Sequence, residues 1–162
     1  MLEHIFKVPS EKNLIRPPGA PDEIEFLLTC QRCGKCAQAC EHGSIKIAGG
    51  DTGAAVGTPF LELRKSYCRM CMRCVAACEH GILKKVDGRL KIGVAKIDKR
   101  FCPAWNGVVC MTCHSYCPEG AVELDSELRP QVNEKCTGCG LCESMCVKYP
   151  SIKVVRSDSI WL

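Results

Sequence analysis

Sixteen cysteines fall into four groups of four with none left over. Cys30, Cys33, Cys36 and Cys40 read CQRCGKCAQAC. Cys68, Cys71, Cys74 and Cys78 read CRMCMRCVAAC, and Cys136, Cys139, Cys142 and Cys146 read CTGCGLCESMC. These three share the spacing C-x2-C-x2-C-x3-C. Cys102, Cys110, Cys113 and Cys117 keep the second half of it, but seven residues separate Cys102 from Cys110. Thiolates at this spacing suit an iron–sulfur cubane. Three cysteines two residues apart fold around three corners, and the intervening N–H groups are free to point at sulfur. The fourth cysteine, three residues on at the start of a short helix, points away and ligates a neighbouring cluster. The expected cofactor set is four [4Fe–4S] clusters, with all sixteen cysteines as ligands.

Other chemistries fit the count less well. A tetrahedral zinc site takes two separated C-x-x-C pairs, so a third cysteine directly after each pair would be redundant. The stretch CMTCH at Cys110–His114 matches the attachment signature of a c-type haem. A haem there would strand Cys102 and Cys117, so the match is expected to be the middle of a cluster-binding run. His42 and His80, in two CEHG repeats, either contact cluster sulfur or sit in solvated turns.

The elements that position these ligands are short. ACEHGSIKI at Ala39–Ile47, ACEHGILKK at Ala77–Lys85 and YCPEGAVEL at Tyr116–Leu124 follow one plan: a short helix, a glycine, then an apolar strand. Asp87-Gly88 lies between alternating apolar positions and predicts a hairpin, and AVELDSELRPQVNE predicts another. The fold class is therefore α+β, with loops wrapped on clusters, short helices and small two-stranded ribbons, repeated twice. The chain has 162 residues, 46% hydrophobic with the cysteines included and only 6% aromatic. That core is thin, so metal binding is expected to organise the chain and to be coupled to folding.

Charge and targeting narrow the function class. The formal charge is +4, but four clusters of about −2 each take the holoprotein to about −4. Arg32, Lys35, Arg69 and Arg73 lie between ligands, where they offset cluster charge or form a solvated face. No basic run is long enough to argue for nucleic acid. No signal peptide, twin-arginine pair or membrane-spanning run is evident, which predicts a cytoplasmic protein in a compartment that favours metal thiolates over disulfides.

The chain resembles the polyferredoxin family of ferredoxin-type proteins from nitrate-reductase and methylamine-utilisation systems. The likeness rests on RPPGA at Arg16–Ala20, the GTP before the second group, the widened third group and the CTGCG of the fourth. It is also similar to the iron–sulfur subunit of tungsten-dependent aldehyde oxidoreductase complexes. The resemblance implies a non-catalytic subunit that transfers electrons between a catalytic oxidoreductase subunit and a second redox carrier or flavoprotein. A maturation or assembly role for a redox enzyme such as nitrate reductase is the alternative. Two features depart from the family. The twin-arginine leader of exported members is missing, and only Cys117 is followed by the usual proline. Glu41, Glu79 and Val147 stand at the other three places.

The gap from Cys117 to Cys136 is close to that of small two-cluster ferredoxins, and the insert Gly49–Phe60 lengthens the gap between the first two groups. Consecutive pairing then implies clusters at Cys30, Cys33, Cys36 and Cys78; at Cys68, Cys71, Cys74 and Cys40; at Cys102, Cys110, Cys113 and Cys146; and at Cys136, Cys139, Cys142 and Cys117. A nested pairing of the first group with the fourth stays open. The expected organisation is an N-terminal arm at 1–24, dicluster modules at 25–98 and 99–156, and a tail at 157–162. The apolar residues of the arm and the tail's Ile160, Trp161 and Leu162 either fold back or meet a partner. Outward binding at both ends would allow end-to-end self-association.

Overall fold

A computed structural model describes residues 14–88 and 90–156 of the chain. Leu14–Pro18 are buried, and the Ile15 carbonyl accepts from the Leu61 N–H at 2.7 Å. The fold-back reading therefore applies to this part of the N-terminal segment, while residues 1–13 and the tail 157–162 lie outside the described residues. The RPPGA motif earns its rigidity through Arg16. Its buried guanidinium donates to both carboxylate oxygens of Glu23 at 2.8 and 2.6 Å, and to Thr58 Oγ1 and the Pro59 carbonyl at 2.9 and 2.8 Å. Arg156 joins from the far end of the chain, 2.8 Å from Glu23.

Helix α1 (Glu23–Thr29) starts at Asp22, whose side chain accepts from the Glu25 N–H, and carries Glu23 and Glu25 in its first turn, where the helix dipole favours them. It buries Phe26. Helices α2 (Lys35–Gln38), α3 (Arg73–Ala76), α4 (Thr112–Ser115) and α5 (Leu141–Met145) are one turn each. Every one of them holds the third cysteine of its group and stops just before the fourth. Pairs of them pack together, α2 on α3 and α4 on α5.

Among the described residues, three two-stranded antiparallel sheets join these helices. Strands β1 (Ile45–Ile47) and β2 (Pro59–Leu61) flank the insert, with Ile45 opposite Leu61. Strands β4 (Val122–Leu124) and β5 (Pro130–Val132) form the hairpin expected in AVELDSELRPQVNE. Among the described residues, no strands pair across Asp87-Gly88 to form the expected hairpin. Instead β3 (Val94–Ile97) pairs with β6 (Ile152–Val155), Ala95 opposite Val154. The turn chemistry was local and weak, whereas this pairing buries Ala95, Ile152 and Val154 in the main core. The β3–β6 ladder thus crosses the expected boundary at residue 98.

One core runs through both halves, from Ile15, Phe26, Ile45, Leu61 and Leu63 to Ala121, Ile152 and Val154, with cysteines interleaved. A polar link reinforces it. Arg64 Nη1 donates to the carbonyls of Glu143, Ser144 and Cys146 at 2.8, 3.0 and 3.1 Å, and the guanidinium lies 4.8 Å from the Tyr149 ring centroid. A cation on the unsatisfied carbonyls at the end of α5 is favoured by the helix dipole. Arg64→Ala is expected to cost about 1–2 kcal/mol, discounted for partial solvation. The check is a lower denaturation midpoint with an unchanged dependence on denaturant.

Candidate iron–sulfur sites

The loops around the second cysteine of each regular group have an unusual backbone. Cys33 lies between Arg32 (φ 54°) and Gly34 (φ 74°), Cys71 between Met70 (φ 55°) and Met72 (φ 60°), and Cys139 between Gly138 (φ 79°) and Gly140 (φ 81°). Left-handed residues on both sides of one cysteine curl the chain sharply and turn successive N–H groups into a concavity, the geometry that surrounds anionic groups. Arg32, Met70 and Met72 adopt this without being glycine, and such strain gathers at functional sites. In the widened group the curl is absent: Val109 is not left-handed, and Met111 has φ −116°. With Cys102 supplied from eight residues back, that loop has no tight wrap to make.

Four cysteines line each of three voids of similar size. Cys30, Cys33, Cys36 and Cys78 line one of about 390 Å³, Cys117, Cys136, Cys139 and Cys142 one of about 330 Å³, and Cys102, Cys110, Cys113 and Cys146 one of about 350 Å³, open mouths included. In the remaining set, burial and then Cys40 and Cys71 raise the Cys68 thiol, and burial and then Cys68 and Cys71 raise Cys74. All sixteen thiols are free of disulfides. Among the described residues, no three of His, Cys, Asp and Glu stand close enough to ligate a single metal ion. Four thiols gathered around one void suit a bulky cluster.

The thiols resist ionisation on their own. Burial, and then the neighbouring thiolates, push Cys36, Cys68 and Cys113 up to about 11 and Cys74 up to about 12, and raise Cys139 and Cys142. Four thiolates in one buried void require a cationic group among them, which is what an iron–sulfur core supplies. Backbone donors are already directed at sulfur. The Leu83, Ala121 and Ala95 N–H groups donate to Cys78, Cys117 and Cys136 Sγ at 3.4, 3.2 and 3.3 Å. Such bonds stabilise negative charge on sulfur and raise a cluster's reduction potential.

The histidines singled out in the sequence find ordinary places, and so does Trp105. His114 Nδ1 is 2.6 Å from the Val122 carbonyl, so this ring is tied to β4. The haem signature is thus the middle of a cysteine run, with Cys102 joining Cys110 and Cys113 at one void. Trp105 Nε1 donates to the Pro130 carbonyl at 3.3 Å, and Lys99 and Arg129 cover its ring. It anchors its loop on β5 by packing. His80 lines the void of Cys30 and Cys78, while the His42 carbonyl accepts from Ser66.

The two glutamates that stand where proline is usual acquire a reason. Glu79 pairs with Lys35 and Glu41 with Arg73, so the residue after each fourth cysteine meets the base preceding the third cysteine of the other group. This reciprocal clamp spans α2 and α3. Sequence reasoning placed Lys35 and Arg73 near cluster charge but missed the partners, because each pair closes between groups about forty residues apart.

The model of the 4Fe-4S dicluster domain matches residues 29–102. The ferredoxin-type protein NapG of Escherichia coli (strain K12) is 34% identical, over 87% of this chain and 70% of that protein. The methylamine utilization ferredoxin-type protein MauM of Methylorubrum extorquens is 36% identical, over 85% of this chain and 70% of its own length. The ferredoxin-type protein NapF of Escherichia coli (strain K12) is 31% identical, over 83% of this chain and 80% of that protein. Sixteen cysteines in ferredoxin spacing make four [4Fe–4S] clusters the cofactor set. By its cysteine runs, its α+β architecture and these likenesses over most of its length, the chain belongs to the family of ferredoxin-type [4Fe–4S] proteins.

Proposed function

We propose that this chain is a non-catalytic electron relay whose four clusters are ligated by Cys30, Cys33, Cys36 and Cys78; by Cys68, Cys71, Cys74 and Cys40; by Cys136, Cys139, Cys142 and Cys117; and by Cys102, Cys110, Cys113 and Cys146. The observation that carries the reading is that these sets adjoin one another in series. Helix α2, with Cys36, packs on α3, with Cys74, and α4, with Cys113, packs on α5, with Cys142. The Cys68 N–H also donates to the Cys139 carbonyl at 2.8 Å, joining the two halves directly. The relay order is then first group, second group, fourth group, third group, with the widened group at one terminus. Every cysteine is a ligand in this assignment, so no thiol is left for substrate chemistry.

The relay serves a catalytic oxidoreductase subunit, of which a tungsten- or molybdenum-dependent aldehyde oxidoreductase is the specific proposal, and a second carrier or flavoprotein. End-to-end association of copies is a further arrangement that such a relay allows. Among the described residues no helix is long and apolar enough to cross a membrane. Free cysteines as ligands agree with the reducing cytoplasm as its compartment.

Anaerobic preparations are expected to contain about 16 iron and about 16 labile sulfide per chain, and to take up about four electrons, one per cubane. Metal and sulfide analysis with a reductive titration checks this. Zinc without sulfide would exclude the relay.

A further inference from the structure

We propose that the face over the Cys102, Cys110, Cys113 and Cys146 site docks an acidic redox protein. The proposal rests on the relay reading, which makes this site a terminus. The surface there is apolar at its centre: Val109, Val147 and Val108 are 73, 72 and 60% exposed, and Met111 adjoins them in sequence. Val147 lines the void itself, beside Cys110 and Cys146. A partner covering these side chains comes close to the buried ligands and excludes water from between the two redox centres.

A cationic patch adjoins the wall of the same void. The segments 96–100 and 147–153 contain Lys96, Lys99, Arg100, Lys148 and Lys153 against one carboxylate, Asp98, which Arg100 engages at 2.6 Å. Lys96, Lys99, Arg100 and Lys153 border one surface depression, which shares Ile97 with the wall of the cluster void. Asp98 and a cluster of about −2 when oxidised, or about −3 when reduced, do not cancel five cations, so the face stays positive.

The strand register adds an independent observation. Lys96 and Lys153 are both exposed and stand directly opposite each other in the β3–β6 ladder. Like charges at directly opposed positions destabilise a sheet. The strands therefore carry a local cost that an acidic residue at either position would remove, and a negatively charged partner relieves it on docking. Carboxylates around the partner's redox centre complement the patch. Steering of this kind speeds encounter and suits a small, short-lived electron-transfer interface.

The test uses the full holoprotein, reduced and mixed rapidly with three oxidants: an acidic blue-copper protein, a basic c-type cytochrome and a neutral quinone. With the acidic protein, the second-order rate is expected to fall at least about tenfold between about 10 mM and about 200 mM salt. Combined Lys96→Glu and Lys153→Glu is expected to lower the low-salt rate about tenfold and to raise the rate with the basic cytochrome. The charge-matched control, Lys46→Glu with Lys85→Glu, leaves both rates near the original. Lys96→Glu alone is expected to slow the acidic reaction while raising the denaturation midpoint, a combination that a merely structural lysine does not produce. A salt-independent acidic reaction, or equal effects of the two double variants, overturns the docking face. Light scattering that shows end-to-end chains dispersed by Lys96→Glu assigns the face to a second copy and overturns it as well. Oxidation by the neutral quinone reads the relay separately: if it fails in the unmodified protein, the relay reading falls and the docking proposal with it.

Discussion

Cys78→Ala is expected to abolish the cluster of Cys30, Cys33 and Cys36 and to leave that of Cys68, Cys71 and Cys74 in place. The reason is the direction of the fourth thiol. Cys78 follows α3 and lines the void of the first group, although its sequence neighbours belong to the second. Iron should fall from about 16 to about 12 per chain. Count alone does not say which cluster is lost, so the difference in the low-temperature paramagnetic spectrum decides. It should overlay that of Cys33→Ala and differ from that of Cys71→Ala. A match to Cys71→Ala would mean that the run keeps its own fourth ligand. A match to Cys113→Ala would mean the nested pairing of second and third groups. Structural metal sites commonly supply on the order of 10 kcal/mol of folding free energy, so the first half should also lose amide protection around β1 and β2.

The four cysteine groups were legible in the sequence because they are written in spacing. A complete four-by-four partition leaves few alternatives, and the widened third group is explained once Cys102 is counted. The β4–β5 hairpin was legible too, since both strands and their turn lie within fourteen residues. The β3–β6 ladder was not. Its strands are about sixty residues apart, and Asp87-Gly88 offers a local turn that competes on paper with the nonlocal pairing. What decides is burial of Ala95 against Val154, which depends on where the fourth group places its strand. The left-handed conformations at Arg32, Met70 and Met72 were equally hidden, because these residue types carry no preference for positive φ. Only the demand for a loop curled around one cysteine explains them. Arg64 carries no signal in the sequence, and its role depends on α5 ending beside it.

Gly140→Ala is expected to be a strongly damaging small substitution at the junction of the halves. Gly140 has φ 81°, which costs an L-residue about 1–2 kcal/mol. A methyl group there would also lie 2.6 Å from Leu63 Cβ and 2.9 Å from both Leu63 methyls, inside the shared core. Forcing extra volume into such a place adds about 1–3 kcal/mol, giving a total of about 2–5 kcal/mol. Gly88→Ala is the control, with φ 94° and nothing within 4 Å of the added carbon, so it should show the backbone cost alone. Anaerobic denaturation followed by cluster absorbance measures both, and equal losses would show that Leu63 yields without cost. The functional consequence follows from position. Gly140 adjoins Cys139, whose carbonyl accepts from the Cys68 N–H across the junction. Pushing Leu63 away widens the gap between second and fourth groups. Electron tunnelling decays exponentially with that gap, so transfer between the halves should slow more than transfer within either half.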